Sequence, residues 1–174
     1  MQVILKENQI AELLDKIAEE ITAATAADVS LALVGVRSRG EILAQRLQKL
    51  IQDKRSDKVE LGTLDITLYR DDLNQMSYQQ PEVRTTEIDF GIDDRLIILV
   101  DDVLNTGRSA RAALDALIDL GRPRAIRLAV LIDRGSRELP IRADYVGKTL
   151  EAPSDKTVQV YLHEVDEKEE VVVE

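Results

Sequence analysis

The amino-acid sequence predicts an α/β fold with a central, mostly parallel sheet flanked by helices. Continuous apolar runs at residues 31–36 and 96–100, and a third at 125–132 interrupted only by Arg127, carry that prediction. Runs of this kind suit strands buried on both faces, as the strands of a parallel sheet are. Segments with apolar residues at helical spacing lie between them, and such alternation of strand and helix is the pattern of a parallel sheet. The site of a fold of this class forms on loops at the carboxyl ends of the strands.

The elements follow in order. Asn8 is positioned to cap a first helix, with Ile10, Leu13, Leu14, Ile17 and Ile21 on one face. The first buried strand, residues 31–36, leads through Gly40 to a second helix carrying Ile42, Leu43, Leu47, Leu50 and Ile51. Residues 59–69 are expected to be extended, because Leu64, Ile66 and Leu68 alternate with Asp65, Thr67 and Tyr69. Residues 70–80 are polar and without period, and a segment of that kind between strands serves as a functional or mobile loop. A helix with Ala112, Leu114, Leu117, Ile118 and Leu120 follows the central strand and stops at Gly121 and Pro123. Later strands are expected at 144–147 and 156–165. Residues 1–165 read as one domain and 166–174 as an acidic tail, whose three valines would fray or touch a sheet edge.

Composition narrows the function classes. With 174 residues, 44% hydrophobic and 32% charged, the chain is long and apolar enough for a folded core. It has no cysteine, which excludes disulfides, thiol nucleophiles and Cys-ligated metals. Its one histidine, His163, has no companion for a His-based metal site. The net charge of −10 disfavours non-specific binding to nucleic acid. No membrane span or secretory signal is visible, and a cytoplasmic location is the expectation.

The central strand carries the chemistry. It runs into the adjacent carboxylates Asp101 and Asp102, then Val103 and Leu104, and then Asn105, Thr106, Gly107, Arg108 and Ser109 open a helix. Free backbone N–H groups and the positive end of the helix dipole make such a helix start an anion site. Two carboxylates beside a phosphate cradle suit a sugar phosphate, with or without a metal ion. A triphosphatase loop fails as an alternative. After the strand, Gly35-Val36-Arg37-Ser38-Arg39-Gly40 has the glycine spacing, but Glu41 and Ile42 stand where Lys and Ser or Thr are needed. The dinucleotide glycine fingerprint is absent too. Asp-Asp at a strand end is in isolation an ordinary turn, but a turn alone does not explain the hydroxyl-glycine-hydroxyl loop that follows.

The stretch from Ile97 to Ser109 resembles the phosphoribosyl-diphosphate motif of the type I phosphoribosyltransferases. The blocks Leu64-Asp65-Ile66-Thr67-Leu68-Tyr69-Arg70-Asp71-Asp72-Leu73, Gly121-Arg122-Pro123, Ala129-Val130-Leu131-Ile132-Asp133-Arg134-Gly135, Arg137-Glu138-Leu139-Pro140-Ile141-Arg142-Ala143-Asp144 and Gly147-Lys148 resemble the PyrR branch of that family. Members of this branch are uracil phosphoribosyltransferases and pyrimidine-operon regulators. The resemblance implies a type I phosphoribosyltransferase-like fold with a mobile β-loop over the site. It also implies that uracil and phosphoribosyl diphosphate give UMP and pyrophosphate. Asp101 and Asp102 would then meet the ribose hydroxyls, directly or through Mg2+ and water. Residues 103–109 would bind substrate, with Asn105, Thr106, Gly107, Arg108 and Ser109 around the 5′-phosphate. Arg39 and Gly40 match the loop that contacts pyrophosphate, Arg70 belongs to the closing loop, and Arg134 lies in the region of the uracil pocket.

The alternative reading within the same branch is a UMP-sensing attenuator that binds pyrimidine-operon leader RNA, with Arg137, Arg142 and Lys148 as its basic residues. This chain departs from that pattern. RNA-binding relatives carry Thr, Arg and His on the exposed face of the first helix, where this sequence has Leu14-Asp15-Lys16-Ile17-Ala18-Glu19-Glu20. Ser136 stands where they have histidine. Carboxylates repel an RNA backbone. The branch also implies a homodimer or homotetramer.

Overall fold

Strand and helix alternate along the chain, which the computed structural model describes at residues 1–71, 83–151, 153 and 155–174. The elements are β1 (Gln2–Lys6), α1 (Glu7–Ala24), β2 (Leu31–Val36), α2 (Arg39–Gln52), β3 (Glu60–Leu64), β4 (Leu96–Leu104), α3 (Arg108–Leu120), β5 (Ala125–Asp133), β6 (Tyr145–Thr149), β7 (Val158–Tyr161), α4 (His163–Asp166) and β8 (Glu170–Val173). Five of the strands form a wholly parallel sheet in the order β3-β2-β4-β5-β6.

The period-2 geometry of a strand splits the core in two. Leu31, Leu33, Ile98, Val100, Ala129 and Leu131 face α1 and α2. Ala32, Val34, Ile97, Leu99, Leu128 and Val130 face α3. The facing helix stripes are those read from the sequence: Ile10, Leu14, Ile17 and Ile21 on α1, and Leu43, Leu47 and Ile51 on α2, are all buried. On α3 the contact is made by small residues, Ala110, Ala112, Ala113 and Ala116, which let the helix lie close to the sheet, and by Leu117. Burying a leucine or isoleucine stabilises by roughly 1.5–3 kcal/mol.

Several expectations require correction. Asn8 does not cap α1. The helix begins at Glu7, and the Gln9 side chain accepts the backbone N–H of Lys6 at 3.0 Å. The extended stretch expected over 59–69 ends at Leu64. Asp65 then accepts both the backbone N–H and the hydroxyl of Thr67, at 3.1 and 2.6 Å, and turns the chain into one 3₁₀ turn at Thr67–Tyr69. The strand expected at 156–165 is shorter, Val158–Tyr161, because residues 163–166 form a helical turn, and the one expected at 144–147 runs over Tyr145–Thr149. Residues 72–82, which include most of the expected closing loop, lie outside the described residues.

The largest correction concerns the end of the chain. Val171–Val173 belong neither to a frayed end nor to an edge contact. They form the middle strand of a second, antiparallel sheet ordered β1-β8-β7. Val171 and Val172 are fully buried. The acidic residues around them are paired with cations: Glu164 and Glu169 with Arg46, Asp166 with Arg39, and Glu170 with Lys168.

Val172→Asp therefore buries an unpaired carboxylate and is expected to cost on the order of 3 kcal/mol. A urea-unfolding midpoint equal to that of the wild type would show that β8 does not pack in solution.

Candidate active site

The sheet order reverses between β2 and β4, with β3 outside the first and β5 and β6 outside the second. In an open parallel sheet the crevice beyond the carboxyl ends at such a reversal is the ligand position. A cleft of about 260 Å³ opens there. Arg37, Ser38 and Arg39 line it after β2, Asp65, Thr67 and Arg70 after β3, and Asp101, Asp102 and Val103 on β4. A hollow of about 120 Å³ adjoins it, sharing Asp101 and lined by Val103, Leu104, Asn105, Thr106, Gly107 and Ser109. A third, formed by Arg70, Asp71, Thr106, Arg108 and Ser109, continues outward. The structure thus brings together the acidic pair, the hydroxyl-glycine loop, Arg39 and Arg70.

The acids sit on the strand itself and not on the loop after it, because β4 continues to Leu104, opposite Asp133 of β5. The Asp101 carboxylate accepts the N–H of Asp102 at 2.9 Å, and the Asp102 carboxylate accepts that of Val103 at 2.8 Å. Removal from water pushes the Asp101 carboxyl well above the usual range, and the neighbouring Asp102 charge adds to this, while the Asp102 N–H works against it.

Gly107 has φ +92°, a left-handed conformation that suits glycine, and it caps α3. Its carbonyl accepts the N–H of Arg111 at 2.9 Å, and the Thr106 hydroxyl accepts that of Arg108 at 3.3 Å. The other amides of this turn have no acceptor within the helix, and Gly107, Ser109 and Ala110 line the hollow. Asn105 Oδ1 is buried with no hydrogen-bond partner.

Other predicted residues occupy different positions from those expected. Gly40 is buried in the first turn of α2, against β4, and a Cβ there would lie 2.5 Å from the Val100 carbonyl oxygen. It is a close-packing residue and does not line the cleft. Arg39 does line it, but its guanidinium forms two bonds with Asp166, at 2.7 and 3.2 Å. Burial pushes the Asp166 carboxyl up, and its bonds to Arg39 and to the Leu162 N–H more than offset that, leaving it low. Arg108 is exposed and bridges Asp71 and Glu138, at 2.6 and 2.7 Å. Arg134 is buried. It donates to the Pro153 carbonyl at 2.8 Å, and its Nε has no partner.

The three basic residues expected to face RNA do not form one exposed group. Arg142 is exposed and Lys148 half-buried on β6, whereas Arg137 turns inward onto the carbonyls of Leu104, Asn105 and Ile141. His163 is a surface residue, 3.7 Å from Glu7. Sequence reasoning missed Arg37, which lines the cleft and contacts Glu41, Glu87 and the Thr85 carbonyl. Its place in the loop after β2, two residues before Arg39, was the available signal.

Residues 2–166 match the phosphoribosyl transferase domain family. The chain is 52% identical over 170 residues to the bifunctional protein PyrR of Pelotomaculum thermopropionicum, covering 98% of this chain and 93% of that one. It is 51% identical over 168 residues to that of Thermus aquaticus, covering 97% and 92%. Among solved structures, a hypoxanthine phosphoribosyltransferase of Staphylococcus aureus superposes with a TM-score of 0.72 at 19% identity, over 98% of this chain and 90% of that one. The Trypanosoma cruzi enzyme of the same name gives 0.72 at 17%, over 99% and 95%. The chain is a phosphoribosyltransferase with the type I fold. Within that class it belongs to the PyrR family.

The burial of Asp101 yields a prediction about pH. A carboxyl held above its unfolded-state value stabilises the folded chain only while protonated, so stability falls as pH rises from 3.8 through its folded-state value. Asp101→Asn keeps the acceptor for the Asp102 N–H and removes that loss. Its melting temperature is expected to exceed that of the wild type by a margin that widens from pH 4 upward and then levels. A margin that stays flat across a pH series would mean that Asp101 ionises normally.

Proposed function

We propose that this chain is a uracil phosphoribosyltransferase, making UMP and pyrophosphate from uracil and phosphoribosyl diphosphate. One observation carries this reading. Two carboxylates and a phosphate cradle meet at the sheet reversal, in a chain half-identical over nearly its full length to PyrR proteins.

The chemistry follows from the geometry. The 5′-phosphate enters the hollow at the start of α3, where the first-turn amides and the Thr106 and Ser109 hydroxyls meet it and Gly107 lets the backbone approach closely. The ribose then lies over Asp101 and Asp102, whose carboxylates accept from its hydroxyls. The diphosphate extends toward the loop after β2, near Arg37, Ser38 and Arg39. Uracil N1 bonds to C1 as the C1–O bond to the diphosphate breaks, the N1 proton passing to water or to the departing diphosphate, and positive charge develops on the ribose while negative charge grows on the leaving group. The carboxylates oppose the first and the guanidinium groups the second. Arg70 sits at the base of the segment that would cover the cleft and exclude water.

Mg2+ fits this donor set. Two adjacent carboxylates, Asp101 and Asp102, line the cleft and provide oxygen ligands only, the donor type this ion takes. Among the described residues no group of three or more acidic, His or Cys side chains converges, so substrate oxygens and water would complete the shell, as is usual for this ion. Bound there, Mg2+ would neutralise charge on the diphosphate. Arg134, buried at the end of β5 with an unpartnered Nε, is the candidate donor to a uracil carbonyl.

The bifunctional name of the relatives keeps a second reading, a UMP-sensing attenuator binding leader RNA. The exposed face of α1 displays Asp15, Glu19 and Glu20, which repel phosphate. A paired assay separates the two functions: pyrophosphate release that depends on uracil, and retention of a pyrimidine-operon leader RNA that depends on UMP. Activity with hypoxanthine or orotate in place of uracil would overturn the substrate assignment.

Asp102→Asn is expected to slow UMP formation by far more than tenfold, in line with the ~2–4 kcal/mol of a lost transition-state contact. An unchanged kcat/KM in a folded variant would remove Asp102 from the mechanism.

A further inference from the structure

Arg137 is a basic residue in an irregular segment after β5, and its surroundings give it a task inside the site. Each of its three guanidinium nitrogens is engaged. Nη1 donates to the Asn105 carbonyl at 2.7 Å and the Leu104 carbonyl at 3.3 Å, Nη2 to the Asp133 carboxylate at 2.6 Å, and Nε to the Ile141 carbonyl at 2.8 Å. Two of these acceptors belong to the backbone that enters the phosphate cradle. The other two belong to the strand end and loop on the side where the base is expected.

The next two residues act on the same loop. The backbone N–H groups of Glu138 and Leu139 both reach the Thr106 carbonyl, at 3.0 and 3.2 Å. The Leu139 and Ile141 side chains close over Gly107, whose missing Cβ would sit 3.4 to 3.5 Å from theirs. All three consecutive carbonyls from Leu104 to Thr106 are therefore held by residues 137–139. With these carbonyls turned toward Arg137 and its neighbours, the orientation of each following peptide N–H is also fixed, because a planar peptide sets the two in opposite directions.

We infer that Arg137 is a positioning residue for phosphoribosyl transfer, tying the 5′-phosphate cradle to the base-side loop through its bonds to the Asn105 and Leu104 carbonyls and the Asp133 carboxylate. It touches no substrate. It fixes the peptide planes that carry the Asn105 and Thr106 amides, at the entry to the cradle, and through Asp133 it makes that geometry depend on the loop beside the base. A planar five-donor fork meets these acceptors, and a lysine ammonium cannot span them. The inference rests on the proposed function of the cradle and adds to it that the two ends of the substrate are read by one connected structure.

The test compares Arg137→Lys, Arg137→Ala and the wild type by two measurements. The first, hydrogen exchange without ligand, needs no activity: the amides at 105–110 are expected to exchange at least tenfold faster in both variants, while α1 and β2 stay unchanged. The second is steady-state kinetics with uracil and phosphoribosyl diphosphate, in which KM for the diphosphate is expected to rise at least tenfold and kcat to fall less, with Arg137→Lys close to Arg137→Ala. Wild-type exchange rates and KM in Arg137→Lys would overturn the inference, as would loss of RNA retention with unaltered kinetics in Arg137→Ala. Variants that lose exchange protection throughout the chain would make Arg137 a general stabilising residue and would also overturn it. A wild type inactive with both substrates would instead overturn the proposed function, and the exchange measurement would still decide whether Arg137 holds the loop.

Discussion

The geometry of the site depends on a contact in which no side chain takes part. Gly35 on β2, Gly40 at the start of α2 and the Val100–Asp101 backbone of β4 are stacked directly on one another. A Cβ at Gly35 would come within 2.5 Å of the Gly40 carbonyl oxygen, and one at Gly40 within 2.5 Å of the Val100 carbonyl oxygen. Both clashes are with main chain, which has no rotamer by which to yield. This approach lets the helix after β2 start close against the neighbouring strand, and so places the loop at 37–39 beside the carboxylates at 101 and 102. The sequence offered Gly40 as a ligand contact. Its physical role is to bring two backbones together so that other groups reach the ligand.

Around that contact the site is full of charge that is already balanced. Arg37 meets Glu41 and Glu87, Arg39 meets Asp166, Arg108 meets Asp71 and Glu138, and Arg137 meets Asp133. An anion arriving at Arg37 or Arg39 would therefore exchange with a carboxylate and not fill a bare cationic hole. Such an exchange is nearly even in charge, which restrains the affinity for anions in general, and a chain with net charge −10 adds to that restraint. Selection is left to geometry: the first-turn amides of α3, the hydroxyls around them and the acidic floor. Asp101 is the exception, a carboxyl burdened by its own burial and by a like charge.

What could be read in the sequence was whatever rests on local pattern. The apolar runs at 31–36, 96–100 and 128–132 became central strands because burial on both faces leaves only apolar side chains there. The acid pair and hydroxyl-glycine loop were legible because their chemistry is contiguous. The three-stranded sheet was not, since β1 and β8 come from opposite ends of the chain and neither valine cluster can show its partner. Val171 and Val172 looked like part of an acidic tail because pattern alone cannot reveal that Glu164, Asp166 and Glu169 are neutralised by arginines more than a hundred residues earlier. Arg137 was misjudged for the same reason. Its positive charge is visible in the sequence, but its acceptors are mostly carbonyls, which carry no side-chain signature.

The extension of β4 to Leu104 explains how two adjacent carboxylates coexist at one site. Successive residues on a strand point to opposite faces. Leu99 packs on the α3 side and Val100 on the α1 and α2 side, but Val103 packs with the latter and Leu104 with the former, so strict alternation is interrupted between Val100 and Val103, where the two carboxylates stand. Asp101 borders both the main cleft and the phosphate hollow, while Asp102 borders the main cleft alone. Had the strand ended at Val100, the pair would lie on a turn free to splay away from each other and from the ligand. Held by pairing with β5 through Val103 and Leu104, the carboxylates keep a fixed separation across the strand. A ligand that satisfies both must wrap the strand end, with one part toward α3 and another toward the loop after β2. A sugar ring with a phosphate on one side and a diphosphate on the other has that shape.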